Sequence, residues 1–118
     1  MKVMPQEIEV WYLIPALRKE ITKFLIKDFN KSQKDVSVIL GVSEGAISQY
    51  LSSKRGNELK FSKEELEEIG KTTGKIIEDG EIDQNFYKLC VKLRGCQSLC
   101  SFHRKQDKDL PKNCDMCC

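Results

Sequence analysis

Six cysteines lie at or after position 90 of this 118-residue sequence, and their thiols carry its most evident chemistry. Cys114 and Cys117 are separated by two residues, so both sulfurs can reach one metal ion from a single turn of the chain. Cys96 and Cys100 lie one helical turn apart. No signal segment opens the sequence, and we therefore expect a cytoplasmic protein, whose reducing surroundings disfavour stable disulfides. Metal binding or thiol redox chemistry is the expected role of these residues.

Three kinds of cysteine site fit this spacing. A structural zinc site usually uses two close cysteine pairs, whereas Cys114 and Cys117 form the only such pair here. Iron–sulfur clusters accept wider and less regular spacing, so we favour a cluster and keep zinc as the alternative. Adjacent Cys117 and Cys118 would also serve a metal-free thiol switch. His103 is a candidate further ligand, although a single histidine among basic residues is more typical of a solvated surface.

A second pattern, SQKDVSVILGVSEGAISQYLSSKRG, spans residues 32–56. Gly41 stands where a helix end favours positive φ, and Ser37 is small enough to let a second helix approach closely. The spacing predicts one helix from about Gln33 to Leu40 and another from about Glu44 to Ser53, each capped by the serine before it. The positions expected to face their shared core are Val36, Leu40, Val42, Ile47 and Tyr50 or Leu51.

This pair of helices resembles the helix-turn-helix of phage repressors and xenobiotic-response-element regulators, whose second helix lies in the DNA major groove. The resemblance points the outer face of that helix toward base edges, with the amide of Gln49 suited to adenine. Phosphate contacts are implied at the start of the first helix and after the second. The implied DNA-binding residues are Gln33, Ser43, Glu44, Gly45, Ser48, Gln49, Lys54 and Arg55. The alternative is a hairpin that never binds DNA, in which Glu44 serves only the helix dipole.

Helices are expected to position both groups of residues. Apolar residues at spacings of three and four predict a long helix from Glu7 to Asp28, entered or kinked at Pro15. A capping box predicts a helix from Ser62 to about Ile77, and a further helix is expected from Asp83, its cap, to Gly95. No strand-like alternation is visible. We therefore predict an all-α fold, with a helix-turn-helix DNA-binding domain of the phage-repressor type and a small C-terminal cysteine-rich metal-binding segment.

Charge divides the chain into three parts. Residues 1–60, the predicted DNA-binding domain, carry a net charge of +3; residues 61–82, an acidic connecting helix, carry −4; and residues 83–118, the cysteine-rich segment, carry +3. A domain with so small a positive charge binds phosphates weakly, so we expect a homodimer on a double-stranded DNA operator. We expect no membrane association, because the longest uncharged apolar stretch, Val10–Leu17, is too short to cross a bilayer.

The head IEVWYLIPALRKEI and the tail LCVKLRGCQSLCSFHRKQDKDLPKNCDMCC, together with the pattern over residues 32–56, resemble a group of archaeal predicted transcription regulators. That resemblance implies metal ligation by Cys90, Cys100, Cys114 and Cys117. Cys96 and Cys118 are then extra thiols and candidates for additional metal ligation, as an exchange ligand, or for a redox-active neighbour of the site. We therefore predict a transcription regulator whose iron–sulfur cluster senses iron, oxygen or redox state. A structural zinc site and a metal-free thiol switch are the alternatives. We expect no enzyme activity, because no second acid–base group accompanies the thiols.

Overall fold

The computed structural model describes residues 4–52, 56, 59–93 and 102. Within these residues the chain forms helices and no strand, which confirms the all-α prediction. The elements in chain order are α1 (Pro5–Ile8), a π-helical turn (Glu9–Leu13), α2 (Ile14–Lys27), α3 (Gln33–Leu40), α4 (Glu44–Leu51), α5 (Lys63–Asp79) and α6 (Ile82–Leu93). None of the helices in these ranges is long and apolar enough to span a membrane.

The single long helix predicted at the start of the chain is divided by a wider turn. Pro15 is the second residue of α2. Because proline has no N–H to donate to the carbonyl oxygen four residues earlier, the residues before it form the π-helical turn instead of a regular α-helix. The wider turn shifts the apolar face: Ile8 and Leu13 are buried, whereas Val10, expected in the same stripe, is 59% exposed.

Helix α2 lies at the centre of the fold and packs against α3, α4 and α5. Its Leu17, Ile21 and Leu25 are four residues apart, so they lie on one face, and all three are fully buried. The core that they share includes Ile47 of α4 and Ile69 of α5. Each such side chain stabilises the fold by about 1.5–3 kcal/mol relative to an exposed one. The position of α4 therefore depends on packing against α2.

Side-chain caps determine where α3 and α5 begin. Ser32 Oγ accepts the Asp35 N–H at 3.1 Å, and the Asp35 carboxylate accepts the Ser32 N–H at 3.4 Å. Ser62 and Glu65 make the same reciprocal pair before α5, at 3.3 and 2.7 Å. Both capping boxes were expected from the sequence and are confirmed. Each capping box provides acceptors for two backbone N–H groups, one on the capping serine and one in the first turn of the helix, that have no acceptor within the helix.

The junction between α5 and α6 differs from the prediction. Helix α6 begins at Ile82, so Asp83 lies within its first turn and is not the cap. The Asp79 carboxylate closes the junction instead, because it accepts the Glu81 N–H at 2.9 Å and the side-chain amide of Asn85 at 3.0 Å. These hydrogen bonds lower the pKa of Asp79 by stabilising its charged form, and the bond from the Glu81 N–H has a larger effect than the bond from the Asn85 amide.

Replacing Asp79 by asparagine is expected to make unfolding less sensitive to acid. Because the pKa of Asp79 is lowered in the folded chain, its carboxylate takes up a proton at a higher pH in the unfolded chain than in the folded chain. The stabilising contribution of Asp79 is therefore complete above about pH 4 and is lost as the pH falls through the folded-state pKa. Urea unfolding between about pH 6 and pH 3 should show a smaller loss of stability in Asp79→Asn than in the wild type. Asp28→Asn, at the end of α2, is the control; an equal loss in all three proteins would contradict the role of Asp79.

Two glycines of α5 have different surroundings. A Cβ on Gly70 would lie 3.1 Å from the ring of Phe24, whereas one on Gly74 would lie 3.8 Å from Phe29, an ordinary contact. Gly74→Ala is therefore expected to stabilise the protein by about 0.5–1 kcal/mol, the difference in helix propensity. Gly70→Ala should gain less or lose stability, because the Phe24 ring must move. Urea unfolding measures both changes, and an equal gain would contradict the close contact of α2 and α5 at Gly70.

Candidate nucleic-acid interface and cysteine site

The turn between α3 and α4 is held by Ser37 and Gly41. Gly41 adopts φ 67°, the left-handed conformation that glycine tolerates best, and ends α3 as expected. The Val42 N–H donates to the Ser37 carbonyl oxygen at 3.1 Å, and the Ser37 hydroxyl donates to the Val42 carbonyl oxygen at 2.6 Å. The sequence predicted only that Ser37 is small. Its hydroxyl also fixes the geometry of the turn, a role that spacing alone did not indicate.

Helix α4 has a buried face and an exposed face. Ser43 caps it by accepting the Ala46 N–H at 3.1 Å, as predicted. Ala46, Ile47 and Tyr50 are buried, and α4 packs against α2 and α3. The opposite side carries four of the residues that the resemblance assigned to DNA, all of them exposed: Ser43, Glu44, Gly45 and Ser48. Gln33, the predicted phosphate contact, is also exposed, at the first position of α3.

Gln49 differs from the other predicted DNA contacts because it is half-buried. Its Oε1 atom is shielded from solvent and has no hydrogen-bond partner among the described residues. A buried acceptor without a partner costs about 1–3 kcal/mol. The amide therefore has a physical reason to turn outward when a donor becomes available beside α4.

The charges around α3 and α4 are few. Lys34 is exposed next to Gln33 at the start of α3, and sequence reasoning passed over it although it lies beside a predicted phosphate contact. Asp35 is occupied by its capping box, and Glu44 lies in the first turn of α4, where the helix dipole favours an acidic side chain. The predicted phosphate contacts Lys54 and Arg55 fall outside the described part of the chain.

Gly56, five residues after the end of α4, lies against α2. It is buried and adopts φ 70°, and a Cβ placed on it would lie 2.5 Å from the Pro15 carbonyl oxygen and 3.1 Å from Lys19 Cβ. Only a residue without a side chain fits so close to α2. This contact holds Gly56 against the start of α2.

Cys90, on α6, is the predicted metal ligand whose surroundings the structure describes. Its side chain is 8% exposed and lies at a groove of about 270 Å³ between α2, the end of α3 and α6. The groove is lined by Ile14, Arg18, Leu40, Ile82, Asp83, Phe86, Tyr87 and Cys90. The guanidinium of Arg18 lies 6.0 Å from the centre of the Phe86 ring, within the range of a cation–π contact.

The other predicted ligands, Cys100, Cys114 and Cys117, the additional thiols Cys96 and Cys118, and His103 lie outside the described residues. Among the residues that the structure does describe, no three histidine, cysteine, aspartate or glutamate side chains are grouped to hold a metal ion. Phe102, two positions after Cys100, packs on Tyr12 with the ring centres 4.6 Å apart and the planes tilted by 56°. Cys90 and Phe102 thus both approach the segment around Tyr12 and Ile14.

Comparisons with known proteins found no match for this chain. No family model matches the chain, and neither a curated protein nor a solved structure is significantly similar to it.

Proposed function

We propose that this protein is a sequence-specific, DNA-binding transcription regulator and not an enzyme. The observation that carries the proposal is the arrangement of α3 and α4, joined by three residues with Gly41 in the left-handed conformation. Helix α4 buries one face in the core and turns a polar face outward. Such a pair is the arrangement in which a helix-turn-helix inserts its second helix into the major groove.

The side chains on the exposed face of α4 support this function. Ser43, Gly45 and Ser48 are small and exposed, so the helix backbone can approach base edges closely. Ser48 offers both a donor and an acceptor to a base. Gln33 and Lys34 lie at the start of α3, where an exposed amide, an ammonium group and helix N–H groups suit a phosphate. We assign base contacts to α4 and backbone contacts to the start of α3.

The small positive charge of residues 1–60 favours two copies on one operator. Each phosphate contact contributes separately to affinity and to its salt dependence, so a domain of net charge +3 gains from doubling its contacts. A homodimer would also place two recognition helices one turn of duplex apart. We propose that it binds a two-fold symmetric, double-stranded operator in the cytoplasm.

Selection from a random-sequence DNA duplex library tests this function and requires no assumed operator sequence. We expect the full chain to enrich a two-fold symmetric sequence, with half-sites about ten base pairs apart. The affinity for that sequence should exceed the affinity for random duplex by about 10³-fold or more. Binding that falls with salt but enriches no sequence would contradict sequence-specific regulation.

We further propose that Cys90, Cys100, Cys114 and Cys117 hold an iron–sulfur cluster. Its support is the chemistry of six thiols in one segment and the position of Cys90 and Phe102 beside the same part of the N-terminal helices. When bound, the cluster would supply a group that is lost or changed by iron shortage, oxygen or oxidation. Cys90 would anchor it to α6, and the contact of Phe102 with Tyr12 would connect the segment to the turn that precedes α2.

Through these contacts the state of the cysteine segment can bias DNA binding. Helix α6 packs on α5, and α5 packs on α2, the helix that supports α4. A change that loosens residues 83–118 would therefore shift the population of molecules in which the two recognition helices of a dimer match the operator. Operator affinity would follow the state of the thiols.

Anaerobic purification followed by visible absorption and analysis of iron, sulfide and zinc tests the cluster. Iron and sulfide in comparable amounts, with absorption above about 400 nm lost in air, are what a cluster on these thiolates gives. Colourless protein with about one zinc per chain would identify a structural zinc site instead. Colourless protein without metal, whose operator affinity changes on oxidation, would identify a thiol switch.

Single cysteine-to-serine variants are expected to identify the ligands. Cys90→Ser, Cys100→Ser, Cys114→Ser and Cys117→Ser should each lose most of the bound metal, because serine at neutral pH does not supply the anionic sulfur that the metal requires. Cys96→Ser and Cys118→Ser serve as matched controls and should retain it. Wild-type metal content in any of the first four variants would remove that residue from the ligand set.

A further inference from the structure

We propose that Glu44 reads a cytosine in each half of the operator, by accepting a hydrogen bond from the cytosine amino group. This inference rests on the proposed function and names part of the sequence that the protein recognises. Glu44 is exposed at the first position of α4, and the exposed Ser48, four residues later, lies on the same side of the helix. In a helix-turn-helix, residues near the start of the second helix contact base edges. The side chain at position 44 therefore affects which bases are accepted.

The carboxylate of Glu44 is not used within the fold, unlike two other acids in first turns of helices. Asp35 in α3 and Glu65 in α5 each occupy the third helical position and accept the N–H of the capping serine. In α4 the third position is Ala46, and Glu44 is at the first. Within the part of the chain that the structure describes, the Glu44 side chain makes no hydrogen bond or ion pair. Its oxygens are therefore open to an incoming donor.

The neighbours of Glu44 leave it as the charged acceptor at the start of α4. Ser43 Oγ already accepts the Ala46 N–H at 3.1 Å, and Gly45 has no side chain. Ser48 lies about 6 Å further along the helix axis than Glu44, whereas successive base pairs are about 3.4 Å apart. Glu44 and Ser48 can therefore read different base pairs.

An ionised carboxylate accepts hydrogen bonds and donates none, so it selects a base edge that presents a donor. In the major groove the donors are the amino groups of cytosine and adenine. The adenine amino group lies between two acceptors, adenine N7 and O4 of the paired thymine, and both repel a carboxylate. The cytosine amino group has an acceptor on one side only, O6 of the paired guanine. Cytosine is therefore the base that suits Glu44 best.

The negative charge of Glu44 makes this contact selective. Phosphates repel a carboxylate, so Glu44 weakens binding to every duplex that offers it no donor. A duplex with cytosine at the right position offsets that cost with a charge-assisted hydrogen bond. Glu44 therefore lowers the affinity for random duplex and raises the ratio of specific to nonspecific binding.

Glu44→Gln tests the inference, because the amide keeps the length of the side chain but removes its charge and adds a donor. Selection from the random-sequence library should give the wild type an operator with cytosine at one position of each half-site. Glu44→Gln should select adenine there, because a glutamine amide pairs with adenine N6 and N7. Replacing that cytosine should lower wild-type affinity at least about fivefold, the low end for one mismatched base pair. Glu44→Ala should lose the preference without gaining another, and both variants should bind random duplex more tightly.

Glu64→Gln is the matched control. Glu64 is exposed in the first turn of α5, shortly after the capping serine, a placement similar to that of Glu44 in α4. If both acids serve only the helix dipole, Glu44→Gln and Glu64→Gln should lose similar stability in urea unfolding, and both should select the wild-type operator. That result would overturn the inference. We expect instead that Glu64→Gln alone keeps the wild-type operator.

The same selection separates this inference from the proposed function. An operator shared by the wild type and Glu44→Gln, or a wild-type operator without cytosine at the position that changes, would refute the cytosine contact and leave sequence-specific regulation in place. A wild type that enriches no sequence would contradict both proposals.

Discussion

Replacing Gly56 by alanine is expected to destabilise the protein by about 3 kcal/mol, from the sum of two costs. The first is conformational, because Gly56 has φ 70°, where a Cβ costs about 1–2 kcal/mol. The second is steric, because the new Cβ would lie 2.5 Å from the Pro15 carbonyl oxygen. That atom belongs to the helix backbone and cannot rotate away, so residue 56 must move away from α2. Overpacking of this kind costs about 1–3 kcal/mol.

Gly80→Ala separates the two costs. Gly80 has φ 72°, nearly the same conformation, and a Cβ there would meet no atom within 4 Å. Gly80→Ala should therefore lose only the conformational part, about 1–2 kcal/mol. Urea unfolding of both variants measures the difference directly. Equal losses of stability in Gly56→Ala and Gly80→Ala would mean that Gly56 is not in close contact with α2.

The consequence for function follows from where Gly56 lies. Gly56 contacts α2 at Pro15, and the π-helical turn that carries Trp11 ends at Leu13, just before Pro15. A variant that stays folded but moves residue 56 away from α2 is expected to weaken operator binding more than binding to random duplex.

Gln49→Ala is expected to reduce sequence discrimination without lowering stability. In the structure the Gln49 side-chain oxygen is buried and has no partner among the described residues, so truncation removes an unfavourable group. On DNA the same amide would gain two hydrogen bonds to adenine, which are worth about 1–3 kcal/mol of discrimination, or roughly 5- to 150-fold. Operator affinity should fall by that factor while the affinity for random duplex and the unfolding free energy stay the same.

Three comparisons make this result specific. Ser48→Ala should also reduce discrimination, since its exposed hydroxyl lies on the same helix. Lys34→Ala should weaken operator and random duplex alike and reduce the salt slope by about one, the behaviour of a phosphate contact. Ile47→Ala should lose about 2–5 kcal/mol of stability, because its side chain is fully buried. Unchanged discrimination in both Gln49→Ala and Ser48→Ala would show that α4 is not the recognition helix.

Local patterns predicted the helices of this protein well where the deciding interactions are themselves local. The two capping boxes and the end of α3 at Gly41 each depend on residues within four positions of one another, and the structure confirms them. The predicted start of α6 was wrong although the deciding contact is also local: Asp79, the last residue of α5, accepts the Glu81 N–H, and Asp83 lies inside the first turn of α6.

The candidate DNA-binding face was assigned by resemblance to helix-turn-helix regulators, and the structure places Ser43, Glu44, Gly45 and Ser48 on the exposed side of α4. Gln49 was harder to judge, since its buried oxygen depends on how α4 packs. The groove at Cys90 left no sequence signal, because its walls come from α2, α3 and α6.

The sequence by itself determined the all-helical composition, the caps of α3, α4 and α5, the buried face of α4 and the concentration of thiols after position 89. Tertiary structure alone decided that the hydroxyl of Ser37 holds the turn, that Gly56 must be a glycine and that Trp11 is exposed. The physical reason is distance along the chain. Hydrogen bonds and periodicity within one or two turns are encoded by adjacent residues, whereas contacts such as Gly56 with Pro15, or Phe102 with Tyr12, exist only after distant segments have packed together.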